Sequence, residues 1–554
     1  MFFHYICSRN VKSDVKSNRK PEKMNLKTFI LALGLTVGGN LTASAQNETT
    51  TMVNPLTYTD IPDNDVIRVG DDFYMVSTTM FFCPGAPVMH SKDLVHWRIV
   101  SYIYDCIADD DIYNLRNGKN AYGKGQWATT LRYHNGVYYA LFIANDQHKT
   151  YVYRTDDITK SNWERNEIEG AFFHDAGLLF DNDGRAYVVY GNGELHLTEL
   201  TPDLRAIKKG GVDQIIITEP RQGFGLRAEG AHMYHIGDYY YVIVIDWPSG
   251  KPRTERCFRS KTLTGPYEEK IMLQGAFDGR GDGVAQGAIF DTPKGDWYSV
   301  MFQDHGGVGR VPTLQPMKWV DGWPILGDNT VPVKQFEVNL APYGEDHVWA
   351  SDEFKYKNNK DLDLVWQWNH KPIDEAWSLT QRKGWLRLTT AQLATSVLDA
   401  RNTLCQRTVG PRCMNEILLD ASGMKPGDYA GLCAFQSGHC EIGVEVDAQG
   451  GRFIVAKTTE RREVKEVLRA PMKGKKAYFR MRYVFTPQAD DTCGPDKVFM
   501  SYSLDGKKWV DVDSQLQMRF TLDFFIGYKA ALFNYATQQL GGHADFDYFH
   551  QWIY

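Results

Sequence analysis

Along most of the chain hydrophobic and polar residues alternate with a period of two, and helical periodicity is nearly absent. Such alternation predicts strands, so the fold class is all-β. One unit recurs: a short strand, a turn containing glycine, and a second strand rich in tyrosine. It reads VIRVGDDFYMVST, TLRYHNGVYYALFI, GLLFDNDGRAYVVYG, AHMYHIGDYYYVIVI and GAIFDTPKGDWYSVMF. The turn glycines Gly70, Gly136, Gly184, Gly237 and Gly295 are spaced 66, 48, 53 and 58 residues apart. Further strand-like segments close several units, HSKDLVHWRIV, RTDDITKSNWE and RSKTLTGPYEE among them. Four-stranded units at such a period bury their faces only against one another, as the blades of a β-propeller do. Five blades are predicted between about residues 50 and 345.

The repeat then stops. From residue 346 to residue 554 the chain offers short alternating runs with turn signals between them, such as EIGVEVDAQGGRFIVAKTT and AYFRMRYVFT, which predict a β-sandwich. Ahead of the repeat, residues 1–46 read as a leader. Met24 opens a signal peptide, with Lys27 as its positive end, an apolar run over 29–37 and Ala43-Ser44-Ala45 as the cleavage site; the residues before Met24 read as an upstream mis-start. The expected division is therefore 1–46 leader, 47–345 propeller and 346–554 sandwich, in an exported, periplasmic or secreted protein. No later apolar run is long enough to predict a membrane-spanning helix.

A net charge of -6 with 23% charged residues of mixed sign leaves no basic field for a nucleic-acid partner. The 9 cysteines show no metal-ligand spacing, so a zinc site is not expected, and an exported compartment makes disulfides optional. The GxSxG, HExxH and P-loop motifs are absent.

The repeat allows equivalent positions to be compared within one sequence. In a propeller the first strand of each blade lines the axis, so the residue just before it stands at the mouth. Seven to nine residues before each turn glycine stand Asp63, Trp127, Asp175, Glu229 and Gln286. Each carboxylate alone is readily explained as a turn residue. Three gathered at one mouth repel one another and are costly to collect without a use. Carboxylates whose environments separate their pKa values, beside a tryptophan, suit glycoside hydrolysis: one activates water while another protonates the leaving oxygen. Asp60 reads as a solvated turn residue, Asp65 as a strand start, Asp109-Asp110-Asp111 as a solvated loop, and the DNDG run ending at Gly184 as a turn rather than a calcium loop.

At these residues the sequence resembles glycoside hydrolase family 43, in which five-bladed propeller enzymes act on β-xylosides and α-L-arabinofuranosides. IPDNDVIRVGDDFYMVSTTMFFCPGAPVMHSKDLVHW resembles the family's first-blade segment, HDAGLLFDNDGRAYVVYG its second carboxylate segment and AEGAHMYHIGDYYYV its acid segment. The resemblance implies Asp63 as general base, Asp175 as pKa modulator and Glu229 as general acid. It also implies substrate contacts from Trp127 in QWAT and Arg310 in GGVGRVP. Gln286 and Phe82 are further substrate-binding candidates. WQWNH, WSLT, ARNTLCQRTVGP and GDYAGLCAFQ resemble the concanavalin-like sandwich of the family's xylosidase branch. An exo-acting, inverting enzyme releasing terminal β-D-xylose from pentose-containing oligosaccharides is implied, with arabinofuranosidase, or both activities in one pocket, as the alternative to xylosidase and a non-catalytic glycan-binding propeller as the alternative class. No cofactor is expected. Asn64 replaces the usual proline after the base, and Ala285 replaces a histidine that often stands near a channel ion, which counts against calcium here.

Overall fold

The computed structural model describes residues 49–554, and the leader reading lies outside the described residues. All five predicted hairpins form. Asp65–Val69 pairs with Asp72–Val76, Thr130–His134 with Val137–Ala144, Gly177–Phe180 with Ala186–Tyr190, Phe224–Ile236 with Tyr239–Pro248, and Val284–Asp291 with Trp297–Asp304. The five turn glycines have φ between 61° and 85°, in the left-handed region that glycine enters without a Cβ penalty. Each hairpin gains two more antiparallel strands, giving five separate four-stranded sheets, each drawn from one stretch of chain. Thr50–Val53 pairs with Gln335–Val338, clasping the two ends of the propeller. Between the blades lie apolar layers such as Phe73, Met75, Phe290 and Val300 between the first and fifth.

The sandwich is one eight-stranded and one seven-stranded sheet, and its core includes Trp366, Leu432, Ile442, Phe479 and Phe549. The expected all-β architecture is therefore the observed one, with only short 3-10 turns as helix among the described residues.

The eight-stranded sheet ends in a strand from the propeller. Phe82–Cys83, in the first-blade loop, pairs antiparallel with Gln367–Asn369. Around it Phe81, Phe82, Tyr113, Cys405, Phe435 and Phe524 form one apolar cluster that belongs to both halves. Cys83 is disulfide-bonded to Cys106, while the cysteines from Cys257 to Cys440 are buried free thiols.

Candidate active site

The mouth residues are aimed by local irregularities that no hydrophobic pattern reveals. Asp63, Asp175 and Gln286 have φ of 51°, 48° and 60°, uncommon for residues with a side chain. In the fourth blade the strand register shifts on both sides of Glu229, which faces Ile245. In the fifth it shifts between Ala285 and Gly287, leaving Gln286 as the extra residue. Such bulges redirect a side chain away from the normal alternation. Gly287 permits the bulge, because a Cβ there would lie 1.8 Å from the Val300 carbonyl oxygen.

These positions converge. Asp63, Trp127, Asp175, Glu229, Gln286 and Arg310 line one cavity of about 250 Å³, together with Met80, His174, Arg253, Phe302 and Asp304. Phe520, Leu522 and Phe525, which close one side, come from the sandwich. Phe82 does not belong to the site. It is 1% exposed, stacked on Phe81 at 4.7 Å, and committed to the sheet edge between the halves.

Arg310 is the central cation. Its Nη1 donates to Asp63 Oδ1 at 2.7 Å, and its guanidinium lies 4.5 Å from the Phe525 ring centre. Burial pushes the Asp63 carboxyl above its ordinary value, and the Arg310 charge opposes that rise. Burial pushes Asp175 up to about 7; His174 opposes, while Glu229 and Asp63 add to the rise. Glu229 accepts a hydrogen bond from Asn192 Nδ2 at 2.5 Å and has His174 Nε2 at 3.5 Å. Trp127 packs between His174 and Phe525, with both ring-centre distances 5.9 Å.

Asp60 corrects the expectation of a solvated turn residue. It is 3% exposed and joins the propeller to the sandwich. Its Oδ1 accepts from the Arg310 amide at 2.9 Å, and its Oδ2 accepts from the Gly527 amide at 2.9 Å and from Lys529 Nζ at 3.2 Å. Arg407 Nε reaches its carbonyl oxygen at 3.1 Å. Desolvation raises the Asp60 pKa, yet Lys529 and Arg310 outweigh it and hold the carboxyl below its ordinary value. Asp65 does open its strand. It also accepts from the Leu131 amide at 2.7 Å and from Arg132 Nη1 at 2.8 Å, with His232 Nδ1 at 3.5 Å from its other oxygen. Arg132 already supplies a positive charge beside Asp65, and Ala285 offers no side-chain ligand atom.

Sequence reading missed His174, Asn192 and which sandwich residues, Phe520 and Phe525 among them, close the pocket. His174 adjoins Asp175, and that adjacency was the available signal. Asn192 and Phe525 carry none, since each arrives from a loop remote in sequence.

The sequence model described as "Glycosyl hydrolases family 43" matches residues 52–324, and that of the "Beta xylosidase C-terminal Concanavalin A-like domain" matches 351–551. A putative beta-xylosidase of Xylanibacter ruminicola is 32% identical over 71% of this chain and 74% of its own length. A non-reducing end alpha-L-arabinofuranosidase of Bacteroides ovatus is 30% identical over 61% of this chain and 65% of its own. Among solved structures, a bifunctional GH43-CE protein of Bacteroides eggerthii superposes with a TM-score of 0.84 at 42% identity, covering 91% of this chain. This chain spans 64% of that protein's length.

Proposed function

The chain belongs to glycosyl hydrolases family 43 and is a glycoside hydrolase, and from that premise we propose that it removes single pentose residues, β-D-xylose first, from the non-reducing ends of xylan or arabinoxylan oligosaccharides. The observation that carries this reading is the convergence of Asp63, Asp175, Glu229 and Arg310 on one small, walled cavity. At about 250 Å³ the cavity lies at the small end of ligand sites, which suits one sugar ring better than a threaded polymer. The wall from Phe520 to Phe525 supports exo action for the same reason.

In the proposed mechanism Asp63 takes a proton from a water that attacks the anomeric carbon, inverting it. Arg310 supports that role, since its charge opposes the rise that burial imposes on the Asp63 carboxyl. Glu229 gives its proton to the departing oxygen. Asp175, pushed up to about 7 chiefly by burial with Glu229 adding to the rise, stands beside the acid in the modulator's position. Trp127 and Phe525 supply flat apolar surface for the ring carbons, and Gln286 supplies an amide for a hydroxyl. An α-L-arabinofuranosyl end group is the second reading, favoured by the similarity to the Bacteroides ovatus enzyme.

The test is a panel of aryl β-D-xyloside, aryl α-L-arabinofuranoside, linear xylo-oligosaccharides and branched arabinoxylan, with released sugars identified and their first-formed anomer followed by NMR. Free pentose in its inverted anomeric form is the expected product. Internal cleavage to oligosaccharides, or the retained anomer, would overturn the reading.

A further inference from the structure

Besides Asp304, which is paired with Arg253, three carboxylates meet in this cavity, and one of them must carry a proton for the leaving group. That leaves two negative charges in a space closed by Trp127, Phe302 and Phe525. Arg310 balances one of them through Asp63. The other is faced by His174, whose Nε2 lies 3.5 Å from Glu229 Oε2 and 3.9 Å from Asp175 Oδ2. Among the described residues, no other residue lining the cavity places a charged nitrogen within 4 Å of both carboxyls of this pair.

The location of His174 is fixed from several directions. Its carbonyl oxygen accepts from the Gly191 amide at 3.0 Å, which ties it to the loop that also presents Asn192 to Glu229. Its ring meets Trp127 edge to face. The groups facing it are Asp175 from its own segment, Glu229 from the fourth blade, Asn192 from the third, Trp127 from the second and Asp63 from the first.

We propose that His174 is a positioning residue that steers the Glu229 carboxyl toward the leaving oxygen and, as an imidazolium, sets the ionisation of the Asp175–Glu229 pair. This rests on the reading of Glu229 as the acid. Burial alone would lower the histidine's proton affinity, but the Glu229 hydrogen bond and the charges of Asp175, Glu229 and Asp63 outweigh burial and raise its pKa to about 9. A positive charge at these distances favours the ionised form of both carboxyls. It therefore opposes Asp175, which favours the protonated acid.

His174→Gln retains a hydrogen-bond donor and loses the charge, whereas His174→Phe loses both. The alkaline limb of the pH profile of kcat/KM reports loss of the acid's proton. In both variants that limb should move to higher pH, by roughly half a unit to one unit, the size expected for removing a partly solvated neighbouring charge. His174→Phe should in addition lose about tenfold in kcat on xylobiose, with a much smaller loss on an aryl xyloside whose phenolate leaves without a proton. Thermal melting of both variants, made in the full chain, accompanies the kinetics. Limbs at the wild-type pH in both variants, or equal losses on the two substrates, would overturn the role of His174. A wild-type enzyme inactive on every pentoside would instead remove the underlying reading of the site.

Discussion

Replacing Lys529 by methionine probes how far the sandwich takes part in the propeller's chemistry. Lys529 opens the strand Lys529–Ala536 and is 5% exposed, while Asp60, its partner, is 3% exposed. At 3.2 Å and an effective dielectric of about 20 their gross attraction is about 5 kcal/mol. Removing one member of such a buried pair leaves the other uncompensated and costs about 3–5 kcal/mol. Asp60 also accepts from the Arg310 amide, so its reorientation moves the guanidinium that pairs with Asp63. Lys529→Met should therefore destabilise the protein by about 3 kcal/mol or more and lower kcat/KM at least about tenfold, or about 1.4 kcal/mol at the transition state. Chemical denaturation and initial rates are measured for wild type, Lys529→Met, Asp60→Asn and the double variant. The double-mutant cycle should give a coupling energy of about 2 kcal/mol or more, near the upper range for contacting residues. A coupling below about 0.5 kcal/mol, the scale of independent sites, together with unchanged kcat/KM, would refute the reasoning.

Three further outcomes follow from the same geometry. Truncation after residue 345 should give insoluble or inactive protein, read by solution scattering and turnover, because it uncovers Phe81 and Phe82 and removes Phe525 from the site; a soluble, fully active propeller would show independence. Phe525→Ala should raise KM for xylobiose about tenfold with a smaller change in kcat, since the ring forms apolar wall and covers Arg310 without reaching the reacting groups. Burial lowers His305 and His370 to about 3 and His439 to about 4. Unfolding lets each bind a proton below its ordinary value near 6.5, so this contribution to stability is complete above about pH 6.5 and is lost progressively as pH falls toward 3–4. His370→Phe should flatten the decline in stability measured by denaturant titration between pH 6.5 and 4.

The propeller was legible because its signal is local and repeated: a tyrosine-rich hairpin with a left-handed glycine recurs five times. The same repeat made Asp63, Asp175, Glu229, Trp127 and Gln286 comparable, and all five line the cavity. What escaped depends on long-range contact. Asp60 looks like a polar turn residue until Lys529, more than 450 positions away, is seen beside it. Phe82 looks like an aromatic near the mouth until the edge of the sandwich sheet claims it. The bulges at Glu229 and Gln286 leave no mark in a period-two pattern, because a bulge is an exception to that period.

The most direct test of the account is the leaving-group dependence of Glu229→Gln beside Asp63→Asn. If Glu229 protonates the departing oxygen, Glu229→Gln should nearly abolish hydrolysis of xylobiose and retain much of the activity on aryl xylosides with acidic phenols, with the loss growing steadily as the phenol's pKa rises. Asp63→Asn should be severe on every substrate, since each needs an activated water. A Glu229→Gln loss independent of leaving group, or near-wild-type turnover of xylobiose by Asp63→Asn, would contradict it.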